Sequence, residues 1–287
     1  NVDNTQTCLT SSAENIQLAA ATLNNQGGQM QALGTIDLLL SDTLNNRSGL
    51  IRAGEVLSTR ANRIVNRTTQ GPSQGLEAKT VSLSTSSLDN HQGAIRASEA
   101  LSISSSGQID NSQGLLTSTK NLTLSDPASS GRSLAISNTA GTIIAGQALN
   151  IDANSLTGDG KLLSQGDLTI QMRADFNNTG ELTANGQTTV NTAGSLINQS
   201  TLQAGTGLAI NAASLDNQVS GKLAAETVKL KAAAFNNRGL IDGGTVRIDA
   251  TTLNNLGTGR IYGNTLALAA SSLNNHAEGA SAPVIAA

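Results

Sequence analysis

Apolar residues recur along this chain in pairs separated by one other residue: Ile16/Leu18, Ile36/Leu38, Val81/Leu83, Leu101/Ile103, Leu122/Leu124, Leu149/Ile151 and Leu168/Ile170. The series continues through Leu208/Ile210, Val228/Leu230, Val246/Ile248 and Leu266/Leu268, while Leu57 and Val190 fill two gaps with one member of the pair each. Alternation with period two is the signature of a strand with one buried face. From Ile16 to Leu266 there are about thirteen such positions, a mean step of roughly 21 residues, and a fixed period of this kind marks a solenoid.

A second phrase returns between the pairs: a large apolar residue, then Asn or Asp, then Asn. It stands at Leu23-Asn24-Asn25, Leu44-Asn45-Asn46, Leu88-Asp89-Asn90, Ile109-Asp110-Asn111, Phe176-Asn177-Asn178, Leu215-Asp216-Asn217, Phe235-Asn236-Asn237, Leu253-Asn254-Asn255 and Leu273-Asn274-Asn275. Val65-Asn66 and Ile197-Asn198 are looser copies. Asn tolerates left-handed backbone, so the Asn-Asn step is expected to form a sharp corner. Stacked strands lie about 4.8 Å apart, close enough for identical Asn side chains to hydrogen-bond up the stack. The expected ladder is Asn25, Asn46, Asn90, Asn111, Asn178, Asn217, Asn237, Asn255 and Asn275. Gly49, Gly93, Gly114, Gly180 and Gly239 follow the phrase at a second tight position.

The stretch from Phe235 to Thr252 illustrates one repeat. Phe235 points in, Asn236 to Gly239 turns, Leu240 or Ile241 begins a short strand, and Asp242-Gly243-Gly244 turns again before Val246 and Ile248 face inward. Three short strands joined by polar corners form the cross-section of a parallel β-helix, and units this short exclude two packed helices. The pattern predicts an all-β parallel β-helix of about 13 coils with Asn ladders, roughly 60 Å long. The rhythm breaks twice, giving expected insertions near 61–75 and 125–133 within a repeat region spanning 1–278. Residues 279–287 lose the repeat and read as an irregular tail. Insertions in solenoids tend to map to one face, often the binding face.

Composition narrows the choice. Apolar residues make up 38% of the 287 residues and aromatics 1%, which fits a narrow interior of Leu, Ile, Val and Ala. The net charge of −3 supplies no field to draw nucleic acid or an anionic membrane. The lone Cys8 cannot form an intrachain disulfide. Leu38-Leu39-Leu40 is the nearest thing to an apolar run and is far too short to span a bilayer. The start at Asn1, in mid-pattern, reads as a piece of a longer protein whose address label lies elsewhere.

Repeats of the form Leu-Asn-Asn, Gly, Ile-x-Ala, Leu-x-Leu resemble those of the filamentous haemagglutinin family, large bacterial exoproteins exported by two-partner secretion. Leu88 to Ala97 followed by Leu101-Ser102-Ile103 carries the likeness best, and it extends from about Ile16 to Asn275. The resemblance implies a right-handed β-helical filament, secreted or held at the bacterial surface. It also implies an outer-membrane two-partner-secretion transporter as partner, engaged through regions outside this chain.

Other motifs carry less. Gly71-Pro72-Ser73-Gln74-Gly75 fits the G-x-S-x-G form of a nucleophile elbow, which needs a strand before it and a helix after it; here it sits in an expected loop. Asp242 and Asp249 offer two carboxylates, but no aromatic platform for a sugar accompanies them. His91 and His276 each follow an Asn-Asn corner and lack metal-ligand spacing. No catalytic, cofactor or metal site is therefore expected. Arg47, Arg52, Arg60, Arg63, Arg67 and Lys79 form the densest basic group, interspersed with Glu55 and Glu77. Arg suits planar contacts with carboxylate or phosphate, so an acidic glycan or cell-surface receptor is the candidate ligand. With the second insertion, the candidate partner-binding residues are Arg60, Arg63, Arg67, Asp126 and Arg132. Five N-x-S/T sequons begin at Asn46, Asn66, Asn121, Asn177 and Asn198, several of them at ladder positions. Thr does not recur at one outward position, which argues against an ice-binding face. The chain thus reads as a non-enzymatic shaft of an adhesin or contact-dependent inhibition toxin. The alternatives are a receptor- or glycan-binding segment acting through its loops and, more distantly, a polysaccharide-active enzyme.

Overall fold

The computed structural model describes residues 1–11, 14–128, 131 and 133–287, with backbone alone at 9–11. No helix occurs among the described residues, and the strand ladders run parallel. The chain divides into two units, Asn1–Ala153 and Asn154–Ala287. Each is a parallel β-solenoid, and together they comprise about 14 turns. The sequence count fell one short because it began at Ile16 and passed over Val2-Asp3-Asn4, whose strand pairs in register with Leu23-Asn24.

Most coils have three short strands, while Gly75–Asp89, Ala94–Asp110, Lys222–Asn237, Leu240–Leu256 and Arg260–His276 each run as one long strand through the same three faces. In the first unit Leu50–Ala53, Val56–Arg60 and Arg63–Val65 make one coil; in the second, Thr201–Ala204, Gly207–Asn211 and Ser214–Asn217 do so. The apolar pairs of the sequence belong to the middle strand and stack on one another. Val81 lies over Leu57 and under Leu101, and Ile103 leads on to Leu124 and Ile151. In the second unit Val190, Ile210, Leu230, Ile248 and Leu268 form the equivalent column. The first strand contributes one large and one small inward residue, as in Ile51/Ala53, Leu76/Ala78 and Ile95/Ala97. The third strand adds one more, Leu44, Ile64, Leu88 or Ile109. Burying each Leu or Ile contributes about 1.5–3 kcal/mol, which drives closure of a coil that has almost no aromatics.

The two gaps in the pairing are filled by threonine. Thr59 lies between Leu38 and Leu83, and Thr188 between Leu168 and Leu208; both face inward, and neither hydroxyl has a hydrogen-bond partner.

The expectation that Asn itself takes the left-handed conformation is wrong. Positive φ falls two residues later, at Gln6, Gly27, Ser48, Thr68, Gln92, Gln113, Ala140 and Gly257. The residue before the ladder Asn makes the bend instead. Its side-chain oxygen accepts the backbone N–H two residues on, from Thr5 to Asp3, Arg47 to Asn45, His91 to Asp89 and Ser112 to Asp110. This Asx turn is why that position is Asn or Asp. Glycine follows three residues after the ladder Asn for reasons of space. A Cβ on Gly93 would collide with the carbonyl oxygen of Asn66 and with Asn90 Oδ1.

Candidate functional site

The interior of each unit contains an unbroken chain of amides. In the first unit Asn4, Asn25, Asn46, Asn66, Asn90, Asn111 and Asn138 each donate from Nδ2 to Oδ1 of the next, over 2.6–2.8 Å. In the second, Asn178, Asn198, Asn217, Asn237, Asn255 and Asn275 do the same over 2.7–2.9 Å. The other amide hydrogen reaches the carbonyl that opens the first strand of the coil above, as from Asn66 to Ala94 (2.9 Å) and Asn25 to Leu50 (3.1 Å). The buried amides from Asn4 to Asn111 and from Asn178 to Asn255 are thus satisfied, as a buried polar group requires, while Asn275 at the exposed end of its ladder accepts from Asn255. The first corner of the second unit, Leu156-Thr157-Gly158, carries glycine at this position.

All nine ladder residues expected from sequence take part, and four were missed: Asn4, Asn66, Asn138 and Asn198. The signal that finds them is an apolar residue two places before the Asn, with anything between. Ile64 and Leu196, not Val65 and Ile197, stand in register with Leu88 and Leu215. The intervening residue faces outward and forms its own partial ladder, from Asn45 to Asn24 (2.9 Å) and from Asn274 to Asn254 to Asn236 (2.8 Å each).

The basic group is dispersed over separate faces, and Arg52, Arg63, Arg67 and Lys79 are in ion pairs. On the first-strand face Glu77 lies between its register partners Arg52 (2.7 Å) and Arg96 (3.1 Å), and Lys79 pairs with Glu55 (2.6 Å). On the third-strand side Arg63 and Arg67 flank Asp89 at 3.9 and 3.4 Å. Arg60 is exposed on the middle-strand face, in the column of Leu39 and Ser84. Hydrogen bonding to Glu55 holds the Lys79 ammonium above its ordinary pKa. Such exposed pairs are screened by solvent and add little to stability. Their main effect is to align oppositely charged side chains across coils.

Within 61–75, Ala61 is buried and Arg63–Val65 is a strand; the segment outside the ladders is 70–74. It lies along the corner as a strap. Arg96 donates to the carbonyls of Gln74 (3.0 Å) and Gln70 (3.4 Å), Gln74 Nε2 donates to Ser48 O (3.2 Å), and Gln70 Nε2 donates to Gln113 O. Where the main chain departs, the Thr69 hydroxyl takes its place, accepting the Ala94 N–H (3.0 Å) that elsewhere meets a glycine carbonyl. Ser73 lies in this strap, and Gly75 leads into a strand, not the helix an elbow requires. Asp126 points inward: its carboxylate accepts the backbone N–H groups of Ala128 (2.8 Å), Ser133 (2.7 Å) and Leu134 (2.9 Å) and so shapes the second loop. Arg132 lies outside the described residues. The stretch 279–287 contains the strand Val284–Ala286, parallel to Arg260–Tyr262.

Among the described residues no three His, Cys, Asp or Glu side chains gather to hold a metal ion. Asp242 and Asp249 both lie in the long strand Leu240–Leu256, and Asp249 is paired with Arg247 at 2.8 Å. Hydroxyls do recur outward on the middle strand of the first unit, as Ser58, Ser82, Ser102 and Thr123 in one column and Ser84, Ser104 and Ser125 in the next, serine in all but one case.

Residues 1–71, 145–200 and 183–282 match the haemagglutinin repeat family. No curated protein and no solved structure matches the chain. The matched segments cover most of the sequence and coincide with coils that carry the Asn ladder, so the chain belongs to the haemagglutinin repeat family and is a filamentous haemagglutinin-like repeat region.

Proposed function

We propose that this chain is a non-enzymatic shaft segment of a large secreted bacterial exoprotein, an adhesin or a contact-dependent inhibition toxin stalk, that holds a binding or toxic module away from the cell surface. The observation that carries this reading is the continuity of the ladders: among the described residues the coils stack in register, and Asn side chains hydrogen-bond from coil to coil from Asn4 to Asn138 and from Asn178 to Asn275. The 70–74 departure from the repeat is held by Arg96 and Thr69, and Asp126 gathers Ala128, Ser133 and Leu134 at the second. Stability in such an array is a sum of nearest-neighbour terms. Coils can therefore form one after another as an extended chain emerges through an outer-membrane transporter.

Fluorescently labelled chain applied to bacterial and animal cells tests the proposal. Background-level binding is expected, unchanged when 70–74 is shortened. Saturable binding that disappears with that trimming would replace the shaft by a receptor-binding segment. Sequential coil formation is tested by hydrogen exchange during refolding, where protection is expected to spread from one part of a unit. Simultaneous protection of all coils would refute it.

A further inference from the structure

The five sequons divide by register. Asn46, Asn66 and Asn198 point inward, are fully buried and use both amide hydrogens. Asn46 donates to Asn66 Oδ1 (2.8 Å) and Gly75 O (3.3 Å), Asn66 to Asn90 Oδ1 (2.8 Å) and Ala94 O (2.9 Å), and Asn198 to Asn217 Oδ1 (2.8 Å) and Lys222 O (3.3 Å). Asn121 and Asn177 are the opposite case. The residue after each, Leu122 or Asn178, is buried, so the Asn and the Thr two places on both emerge on the outer face, as alternate residues of an extended chain must. Both Asn side chains are exposed, and among the described residues neither amide makes an intramolecular hydrogen bond. The Thr123 hydroxyl is likewise unpartnered, while Thr179 donates to Gly158 O (3.1 Å).

We propose that Asn121 and Asn177 are N-glycosylation sites and that the stack excludes Asn46, Asn66 and Asn198. In the transfer, Nδ2 attacks the anomeric carbon of a sugar activated as a diphosphate ester. A C–N bond forms, the C–O bond to the diphosphate breaks, and the diphosphate leaves with the electron pair while a base of the transferase takes the amide proton. The donor is a nucleotide-linked or lipid-linked sugar, and the chemistry at Asn is the same for both. At Asn121 or Asn177 the sugar projects from an outer face and costs the stack nothing. At a ladder position it would replace one of two N–H groups already in use, leave an acceptor unpaired and require space where the side chain has no exposed surface. Chains modified there cannot close the coil, so they are absent from folded, exported protein whatever the order of modification and folding. The same selection operates whether the chain is a shaft or a receptor-binding segment.

The test is site-resolved glycopeptide mass spectrometry on the whole exoprotein recovered from the surface or medium of the cells that make it. Sugar mass increments are expected at Asn121 and Asn177 and none at Asn46, Asn66 or Asn198. Single hexoses or short stepwise series identify a nucleotide-linked donor; one preassembled oligosaccharide mass identifies a lipid-linked donor. Thr123→Ala is expected to abolish the increment at Asn121 while leaving Asn177 modified and the melting temperature unchanged. Bare Asn121 and Asn177 in the exported protein, or any increment on a ladder Asn, would overturn the proposal.

Discussion

Asn90 is the most direct place to test the ladder. Its Oδ1 accepts from Asn66 Nδ2 (2.8 Å); its own Nδ2 donates to Asn111 Oδ1 (2.7 Å) and, at 3.4 Å, to the carbonyls of Gly93 and Leu115. Asn90→Ala removes both short bonds. It leaves Asn111 Oδ1 without its donor and one Asn66 hydrogen without its acceptor, both fully buried. An orphaned buried polar group costs about 1–3 kcal/mol, so two of them with a small void give about 3–5 kcal/mol. Asn90→Asp keeps the shape and still accepts from Asn66, but its second oxygen faces Asn111 Oδ1 and two carbonyls with no hydrogen between. The ionised form is a buried charge without a cation, so the folded state holds the proton more tightly than the unfolded chain does, and the folded pKa is raised. Stability of this variant therefore falls as pH rises and recovers as pH drops through that raised value. The protonated acid can then donate to Asn111 again. Thermal and urea unfolding of wild type and both variants, from about pH 8 to about pH 4, measures this. Both variants are expected well below wild type at the upper end, with the Asp variant drawing closer to wild type than the Ala variant at the lower end. A loss under about 0.5 kcal/mol for Asn90→Ala, or a constant gap between the variants across the range, would refute the hydrogen-bonded ladder as the source of register.

Four further outcomes are expected. Thr59→Val and Thr188→Val remove unpartnered core hydroxyls without changing shape, and each should stabilise by about 1 kcal/mol, or roughly 2–4 °C in melting temperature; a decrease would mean that the hydroxyl is satisfied after all. Gly93→Ala should destabilise by about 1–3 kcal/mol because its Cβ meets a carbonyl of the coil below, whereas Gly207→Ala, with nothing nearer than 3.7 Å, should be close to neutral in urea unfolding. Arg96→Ala frees the 70–74 strap, and a broad-specificity protease should cut there about tenfold faster; unchanged cleavage would show that the strap holds without it. Hydrogen bonding to Arg238 holds the Glu278 carboxyl below its ordinary value, so that pair stabilises its corner above the usual carboxylate range and is lost as pH falls through the depressed pKa. Hydrogen exchange at Ser281, corrected for intrinsic rate, should rise over that window and not before.

The fold was legible because two periodicities agreed. Period-two pairs such as Val81/Leu83 gave the strands, and the 21-residue return of Leu-Asn-Asn gave the stack. The corner chemistry was less legible because two adjacent Asn residues do different work. In Leu44-Asn45-Asn46 the first makes an Asx turn from the surface and the second fills the interior, and composition treats them alike. Only the inward one is required, which is why Val65-Asn66 and Ile197-Asn198 looked defective while Asn66 and Asn198 are full ladder members. The charged residues misled in a different way. Arg52, Arg63 and Lys79 are neighbours in sequence, but a coil of three faces distributes them, and their partners Glu77, Asp89 and Glu55 come from adjacent coils. Asp126 looked like a surface group because it lies in a polar loop; nothing in its immediate sequence announces the three backbone N–H groups it collects.

Successive ladder residues are 20 to 27 positions apart in the first unit and 18 to 20 in the second, yet the amide-to-amide distance stays within 2.6–2.9 Å. What the fold holds constant is therefore register, not coil length. A slip of one residue on the third strand would turn the Asn outward and its neighbour inward, breaking a chain of bonds in which each amide donates in the same direction. Extra residues are tolerated only where a side chain stands in for lost main-chain contacts. The 24-residue step from Asn66 to Asn90 contains the 70–74 strap with the Thr69 hydroxyl at its base, and the 27-residue step from Asn111 to Asn138 contains the loop gathered by Asp126. Outward positions carry no such constraint, so surface chemistry can change from coil to coil without disturbing the stack. Because the sequons at Asn121 and Asn177 lie on those unconstrained faces and three others lie in the ladder, modification at this surface is decided by strand register rather than by the motif.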